Sequence, residues 1–265
     1  MINADISQHA TSPVMEKPLW MQKSVLVVAI VALIGLYGWA LLGLDISSRQ
    51  MQGAWSGMLH FLGDLSPKSW AQVENIPWGT LGASLLETIQ MSLIGTTIGV
   101  IISWPLAALA ANNVGPRWVR PAMRFILNTI RTVPSLIWAL LFVAAVGIGS
   151  LAGVLALVAY SIGYLTKFFY EGFEGVDPGP PDALGEIGAC GLQKFLHAVW
   201  PASRPSSISS SLFMLEYNVR AASVLGIVGA GGIGYYIAGF LEWRNFPAAI
   251  ACLVMLLIVV IALDA

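Results

Sequence analysis

Two arginines lie inside long apolar stretches of this sequence, Arg131 and Arg220. A charged side chain within a bilayer costs about 2.5–3.5 kcal/mol on insertion scales, so it should face a cavity or a partner. Glu216 precedes Arg220 by four residues, which favours an ion pair on one helix face, whereas Arg131 has no acid so near and could extend to the lipid headgroups instead. A guanidinium can also attract an oxyanion through its charge and its forked donors. We therefore take Arg131, Arg220, Glu216 and Asn218 as candidate contacts for such an anion.

The sequence lacks the short motifs of several enzyme classes. No G-x-x-x-x-G-K-[ST] run occurs, which excludes an ATP-binding P-loop, and neither G-x-S-x-G nor H-E-x-x-H is present. The histidines and cysteines lack the spacing of a metal site or a disulfide framework; they are His9, His60, His197, Cys190 and Cys252. A membrane-embedded enzyme would need His, Asp or Glu clustered near one membrane face, and the sequence has no such cluster. We expect no catalytic residue, metal or cofactor in this chain.

A glycine-rich run matches G-x-G-x-x-G, with glycines at Gly229, Gly231, Gly232 and Gly234. A dinucleotide site would need a strand before the run, a helix after it and an acid about 20 residues further on. The run lies in an apolar segment instead, and Glu242 follows too soon. Glycines permit positive φ and close helix approach, so we interpret these four as a bend or gate hinge.

The composition indicates a membrane protein. Of the 265 residues, 57% are hydrophobic and 10% are charged, against about 25% charged in a typical soluble domain. The formal net charge of -1 offers no global basic field for nucleic acid. A chain with so few charges requires lipid as part of its solvent.

The elements that must position these residues are membrane helices. A bilayer core takes about 20 apolar residues per helix, and the expected fold is all-α with about six spans, five or seven remaining possible. The predicted spans are 24–43, 88–111, 125–146, 151–168, one from 206 that the glycines of 226–234 interrupt, and 247–263. We divide the chain into a cytoplasmic tail (1–23), a first span with a periplasmic interfacial segment (24–84) and a core (85–265). The sequence leaves open whether a short tail follows Ala265.

The distribution of Lys and Arg predicts the orientation. With the N-terminus in the cytoplasm, eight basic residues fall inside: Lys17, Lys23, Arg117, Arg120, Arg124, Lys167, Lys194 and Arg204. Three fall outside: Arg49, Lys68 and Arg244. Both termini and the polar loop 170–205 are therefore expected in the cytoplasm.

Within that loop the prolines and glycines predict two short helices. A first helix is expected over 181–189, with Asp182 in its first turn, where an acid is favourable. Gly188 and Gly191 should break it, and a second helix over 192–199 should end before Pro201. The two would form a compact knob on the membrane surface.

This loop resembles that of importer permeases of the ATP-binding-cassette type, which is written E-A-A-x3-G-x9-I-x-L-P. Here Asp182, Ala183 and Leu184 precede Gly188 by the same spacing, and Pro201 closes the pattern. The departures are Asp for Glu, Leu for Ala, Ala for Ile and Trp for Leu. The resemblance implies that these five residues couple the chain to an ATPase subunit; an ordinary solvated hairpin is the alternative.

A second segment, 216–234, resembles the phosphonate branch of that family. It contains Asn218-Val219-Arg220-Ala221-Ala222, then Leu225-Gly226 and the glycine-rich end, and the segments 174–180 and 151–157 fit as well. The resemblance covers roughly 85–265.

The resemblance implies a permease subunit of a bacterial inner-membrane importer for phosphonate, phosphite or a related oxyanion. The implied partners are a second permease copy, two ATPase subunits that hold ATP and Mg, and a periplasmic or lipid-anchored binding protein. Transport would follow alternating access. The rival hypotheses are a permease for another small solute, a membrane-embedded enzyme and a stand-alone channel.

Overall fold

The computed structural model describes residues 19–43, 48–65 and 74–264, and within them it contains helices and no strand. The chain divides into two units, 1–62 and 63–265. Five helices of the described chain are long and apolar enough to cross a membrane, and a bent helix pair raises the number to as many as six. The predicted all-α membrane fold is confirmed.

The first unit holds helix α1, Leu19–Gly43, and most of helix α2, Ser48–Leu65. The described side chains of α1 are apolar all round and almost all exposed, as suits a helix in lipid. Helix α2 is amphipathic, because Trp55, Met58, Leu59 and Leu62 recur at helical spacing among polar residues. Most of the predicted cytoplasmic tail, 1–23, is not among the described residues. Lys68, which is predicted to lie on the periplasmic side, is not among them either.

The core of the second unit is built on helix α3, Trp78–Ala110, and helix α6, Ser150–Glu174. They approach closely because α3 presents Gly95 and Gly99 one turn apart. A Cβ at Gly99 would lie 2.6 Å from the Cβ of Ser161, and one at Gly95 would lie 2.8 Å from the Cβ of Leu157. Small residues at i and i+4 allow such contact between membrane helices. Helix α3 begins ten residues before the predicted span, and α6 continues six residues past its predicted end.

The predicted third span is not one helix. Helix α4, Arg120–Thr132, and helix α5, Ser135–Val146, meet at 85°. The cause is Pro134, which lacks an N–H and pushes Val133 into an extended conformation (φ -83°, ψ 118°). The segment predicted as a span over 125–146 is therefore a bent pair of helices and not one continuous helix. A tight turn follows α5, with positive φ at Gly147 and Gly149.

The polar loop forms helix α7, Gly179–Glu186, and helix α8, Gly191–Lys194. A π-helical turn, Phe195–Val199, joins α8 directly to helix α9, Trp200–Leu225. The prediction that the second helix ends before Pro201 is wrong, and the fifth span begins well before 206. Pro201 lies two residues after the π-helical turn. The wider hydrogen-bond spacing of that turn accommodates the missing N–H of the proline.

The chain breaks again at the glycine-rich run, as predicted. A 3-10 turn, Gly226–Val228, follows α9, and helix α10, Ile233–Glu242, begins after Gly232. With ten residues, α10 is about 15 Å long and too short to span a bilayer. Helix α11, Phe246–Asp264, is the last candidate span.

Candidate coupling loop and anion path

Helix α7 ends in a Schellman motif, which explains the glycine at 188. The N–H of Ala189 donates to the carbonyl of Leu184 (3.0 Å), and the N–H of Gly188 donates to the carbonyl of Gly185 (3.0 Å). Gly188 has φ +88°, and no atom lies within 4 Å of the position a Cβ would take. Its backbone conformation, rather than crowding, is what favours glycine here. The predicted turn at Gly188 is confirmed.

The surface of α7 and α8 combines acids with exposed apolar side chains. Asp182 and Ala183 are exposed in the first turns of α7, and Leu184 is half-buried. Ile187 is 80% exposed and Leu192 is 65% exposed, although a loop surface in water would normally cover such side chains. Pro201 is also exposed. Of the five predicted coupling residues, Asp182, Ala183 and Leu184 lie in α7, Gly188 forms the turn after it and Pro201 lies at the start of α9.

A cluster that the sequence did not predict joins three helix ends beside this segment. Arg124 donates from its Nη2 to Glu174 and from its Nε to the carbonyl of Ala110 (2.9 Å). The backbone N–H of Asn112 donates to the same carboxylate (2.6 Å), and the guanidinium lies 4.6 Å from the ring centre of Tyr170. The sequence does not indicate this contact, since the two charges are 50 residues apart.

Glu216 and Arg220 form the ion pair that their spacing favoured. Nη2 of Arg220 lies 2.9 Å from Oε1 of Glu216; the side chains are 49% and 18% exposed, respectively. The pair lies on the outward side of α9, so the charge of Arg220 is already balanced within its own helix.

Asn218 occupies a different face of α9 and is completely buried. Its Nδ2 donates to Oγ1 of Thr96 and to Oγ of Ser161, both at 2.8 Å. The side chain thereby joins α3, α6 and α9. Although Asn218 and Arg220 were predicted as neighbours on one path, the structure does not bring their side chains together.

Arg131 lies in the last turn of α4, directly before the bend at Pro134. Its guanidinium is 5.7 Å from the ring centre of Tyr164 on α6. In the part of the chain that the structure describes, no carboxylate lies within ion-pair distance of Arg131. Of the two predicted arginines, only Arg131 therefore retains an unbalanced charge.

The glycine-rich run needs glycine for two reasons. Gly229, Gly231 and Gly232 have φ of 87°, 82° and 70°, a region that other residues rarely adopt. A Cβ at Gly232 would lie 2.6 Å from Oγ1 of Thr88, and one at Gly234 would lie 1.8 Å from the carbonyl oxygen of Ser223. The bend that the sequence predicts at these glycines is therefore present. The run follows a helix, which is not the context of a dinucleotide site.

The same run is tied to its neighbours by the backbone. The N–H of Ile233 donates to Oγ1 of Thr88 (2.8 Å), and the N–H of Gly149 donates to the carbonyl of Gly229 (2.9 Å). The start of α10 is therefore connected to α3 and to the turn before α6.

The family model and the relatives that match this chain all describe membrane components of transport systems. The model of the family described as "Binding-protein-dependent transport system inner membrane component" matches residues 103–265. The phosphite transport system permease protein PtxC of Stutzerimonas stutzeri is 43% identical over 182 residues, 68% of this chain and 66% of that protein. The phosphate-import permease protein PhnE of Mycolicibacterium smegmatis is 40% identical over 182 residues, 67% of this chain and 34% of that protein. The alignments thus span about two thirds and one third of those relatives.

Solved structures share the fold. An inward-facing MetNI methionine ABC transporter matches with a TM-score of 0.64 at 20% identity, over 72% of this chain and 94% of that one. An amino acid ABC transporter with histidines matches with a TM-score of 0.63 at 17% identity, over 75% and 95%. With the family match over more than half of its length, this chain belongs to the family of binding-protein-dependent transport system inner membrane components.

Proposed function

We propose that this chain is the permease subunit of an ATP-driven importer that moves phosphite, a phosphonate or a related oxyanion by alternating access. The observation that carries the proposal is the surface formed by the Schellman-capped α7 and by α8, on which Ile187 and Leu192 are exposed. Apolar side chains exposed beside acids are typical of a protein interface.

The partner at this surface is an ATPase subunit, one for each permease copy, which holds the ATP and Mg. The contact residues are Asp182, Ala183 and Leu184, with the turn at Gly188 and the start of α9 at Pro201 behind them. A movement of α7 reaches the spans directly, because α6 leads into it and α8 continues into α9.

An oxyanion is the substrate class that the site favours. Relatives that are 43% and 40% identical are named for phosphite and phosphate transport. Arg131, which lacks an acid partner among the described residues, supports an anionic cargo over a neutral or zwitterionic one. A permease for another small solute is the alternative.

The assembly comprises two permease copies, two ATPase subunits and an external binding protein in a bacterial inner membrane. The end of the second unit with α7 also carries Arg117, Arg120, Arg124, Lys194 and Arg204. This basic bias supports a cytoplasmic location for α7 and for both termini.

The glycine-rich run serves as the gate hinge at the opposite end. A cavity of about 590 Å³ adjoins it, lined by Ile148, Gly229, Tyr235, Glu242 and Trp243 among others. This space gives the segment room to shift when the importer changes conformation.

The test is reconstitution of the chain with its ATPase and binding protein in vesicles. We expect ATP-dependent uptake of phosphite, methylphosphonate or phosphate and no uptake without the ATPase. Uptake of a methionine or betaine in place of any oxyanion would establish the alternative. Failure of the chain to co-purify with the ATPase would contradict the coupling assignment itself.

A further inference from the structure

A cluster of one arginine and three tyrosines lies near the middle of the core. The guanidinium of Arg131 on α4 lies over the ring of Tyr164 on α6. The ring centre of Tyr164 is 4.6 Å from that of Tyr160, which stacks on Tyr217 of α9 at 5.0 Å with an interplanar angle of 12°. We refer to these four residues as the Arg131 cluster. Three helices contribute to it.

The depth of the cluster follows from the contact between α4 and α6. A Cβ at Gly163 would lie 3.1–3.3 Å from the N, Cα and Cβ of Arg131, so the two backbones touch there. Gly163 lies thirteen residues after the start of α6 and eleven before its end, or about 20 and about 17 Å along its axis. Because α6 is a candidate span, Arg131 meets it within the apolar part of that helix, about one turn before Lys167.

A guanidinium at this depth needs a compensating partner. The ring of Tyr164 offers a cation–π contact, which is weaker than an ion pair. Among the described residues no carboxylate fills that role, whereas the nearby Arg220 is paired with Glu216. The charge of Arg131 is therefore available to a mobile anion.

The chemistry of the cluster suits a small phosphorus oxyanion. The guanidinium can donate two parallel hydrogen bonds to two oxygens on one face of such an anion. The half-buried Tyr164 and Tyr217 carry hydroxyls that can donate to the remaining oxygens, and the hydroxyl of the buried Tyr160 interacts with both of them. One charge with neutral donors makes a weak site, and transport requires weak binding so that the anion can leave.

We propose that the Arg131 cluster is a transient oxyanion-binding site within the membrane-spanning part of the translocation path. The inference rests on the proposed function, because it assigns the cargo of the importer to these residues. The proposal includes Arg131 and leaves out Arg220, Glu216 and Asn218, because those three side chains already bind to other side chains of the protein.

The experiment replaces the charge chemically. Arg131→Cys is made in a background with Cys190→Ser and Cys252→Ala, which removes both native cysteines, and the complex is reconstituted with its ATPase and binding protein. Uptake of phosphite should fall by about tenfold to a hundredfold, the range expected when a charge-assisted hydrogen bond is lost. Treatment with a cationic aminoethyl thiosulfonate should restore most of the uptake, and neutral methyl or anionic sulfonatoethyl reagents should not.

The matched control is Arg117→Cys in the same background, because Arg117 is an exposed arginine before α4; none of the reagents should alter its uptake. ATP hydrolysis stimulated by the binding protein should stay within about twofold in both variants, which a merely structural role of Arg131 would not allow. If Arg131→Cys fails to assemble, Arg131→Lys and Arg131→Gln take its place, with uptake expected in the first and lost in the second.

Three results would overturn the inference. The first is that uptake is the same whatever the charge at position 131. The second is that none of the reagents modifies the thiol of Arg131→Cys in the assembled transporter. In both, wild-type uptake of phosphite continues and the proposed function survives. The third is a wild-type complex with ATPase activity but no oxyanion uptake, which overturns the proposed substrate class together with the site.

Discussion

The guanidinium of Arg124 donates a hydrogen bond to the carboxylate of Glu174, 50 residues further along the chain. The contact joins the second turn of α4 to the last turn of α6, the helix that leads into α7. The same guanidinium donates to the carbonyl of Ala110 at the end of α3. In the proposed importer, motion of α7 would pass through this contact to α4, and through the bend at Pro134 to α5.

The first prediction concerns this link. Glu174→Gln keeps an acceptor for the N–H of Asn112 and removes the charge, so we expect a loss of about 1 kcal/mol in the free energy of unfolding, modest because both side chains are about a quarter exposed. The amount of substrate taken up per ATP hydrolysed should fall by more than this small loss of stability explains. Lys167→Gln, which removes the exposed pair with Glu171 on a single helix, is the control. A thermal melt and paired uptake and ATPase assays measure both effects, and an unchanged uptake-to-ATP ratio would refute transmission through Arg124.

A second prediction concerns the turn at Gly188. Gly188→Asp places a side chain where φ is +88°, and it adds an acid to the ATPase docking surface. We expect loss of uptake and of stimulated ATP hydrolysis without unfolding of the spans. Gly191→Asp adds the same charge nearby at a position without positive φ and should be milder. Normal transport by Gly188→Asp would show that α7 does not couple the subunits.

The third prediction concerns the glycine-rich run. Gly232→Ala meets Oγ1 of Thr88 at 2.6 Å and keeps an unfavourable φ of +70°, so it should destabilise the chain by about 1–3 kcal/mol. Uptake should fall by more than the loss of folded complex explains, because the segment is the proposed gate hinge. Gly239→Ala in α10 has open space around its Cβ and should be neutral in both assays. A Gly232→Ala variant with wild-type flux would reduce the run to passive packing.

A fourth prediction concerns Asn218. Asn218→Leu removes the hydrogen bonds to Thr96 and Ser161, each worth about 0.6–1.7 kcal/mol between membrane helices. The melting temperature should fall while the residual folded complex transports normally. Ser211→Ala is the control, since its hydroxyl bonds only within α9. Loss of uptake at full stability would instead return Asn218 to the anion path.

The last prediction separates the two roles of Arg220. Arg220→Gln leaves Glu216 without its cation and should lower stability and uptake. Adding Glu216→Gln should restore both, because the pair is internal to one helix face. Uptake into vesicles and a thermal melt of the single and double variants measure this. Recovery of stability without recovery of flux would place Arg220 on the anion path.

Local patterns in the sequence sufficed for much of this protein. Apolar length predicted the membrane helices, the i,i+4 spacing predicted the pair of Glu216 and Arg220, and Gly188 marked the turn after α7. Each of these features depends on residues within a few positions of one another. Pro134 lies within the predicted span 125–146, but apolar length alone does not distinguish one continuous helix from a bent pair.

The tertiary structure alone decided which side chains meet. Arg124 and Glu174, Arg131 and Tyr164, and Asn218 and Thr96 belong to different helices, the last pair 122 residues apart. Hydropathy indicates that a helix enters lipid, but it does not specify the helix face that packs or the depth at which two helices cross. Small residues such as Gly99 and Gly163 set those crossings, because only there can the backbones approach closely enough to bring the polar side chains together.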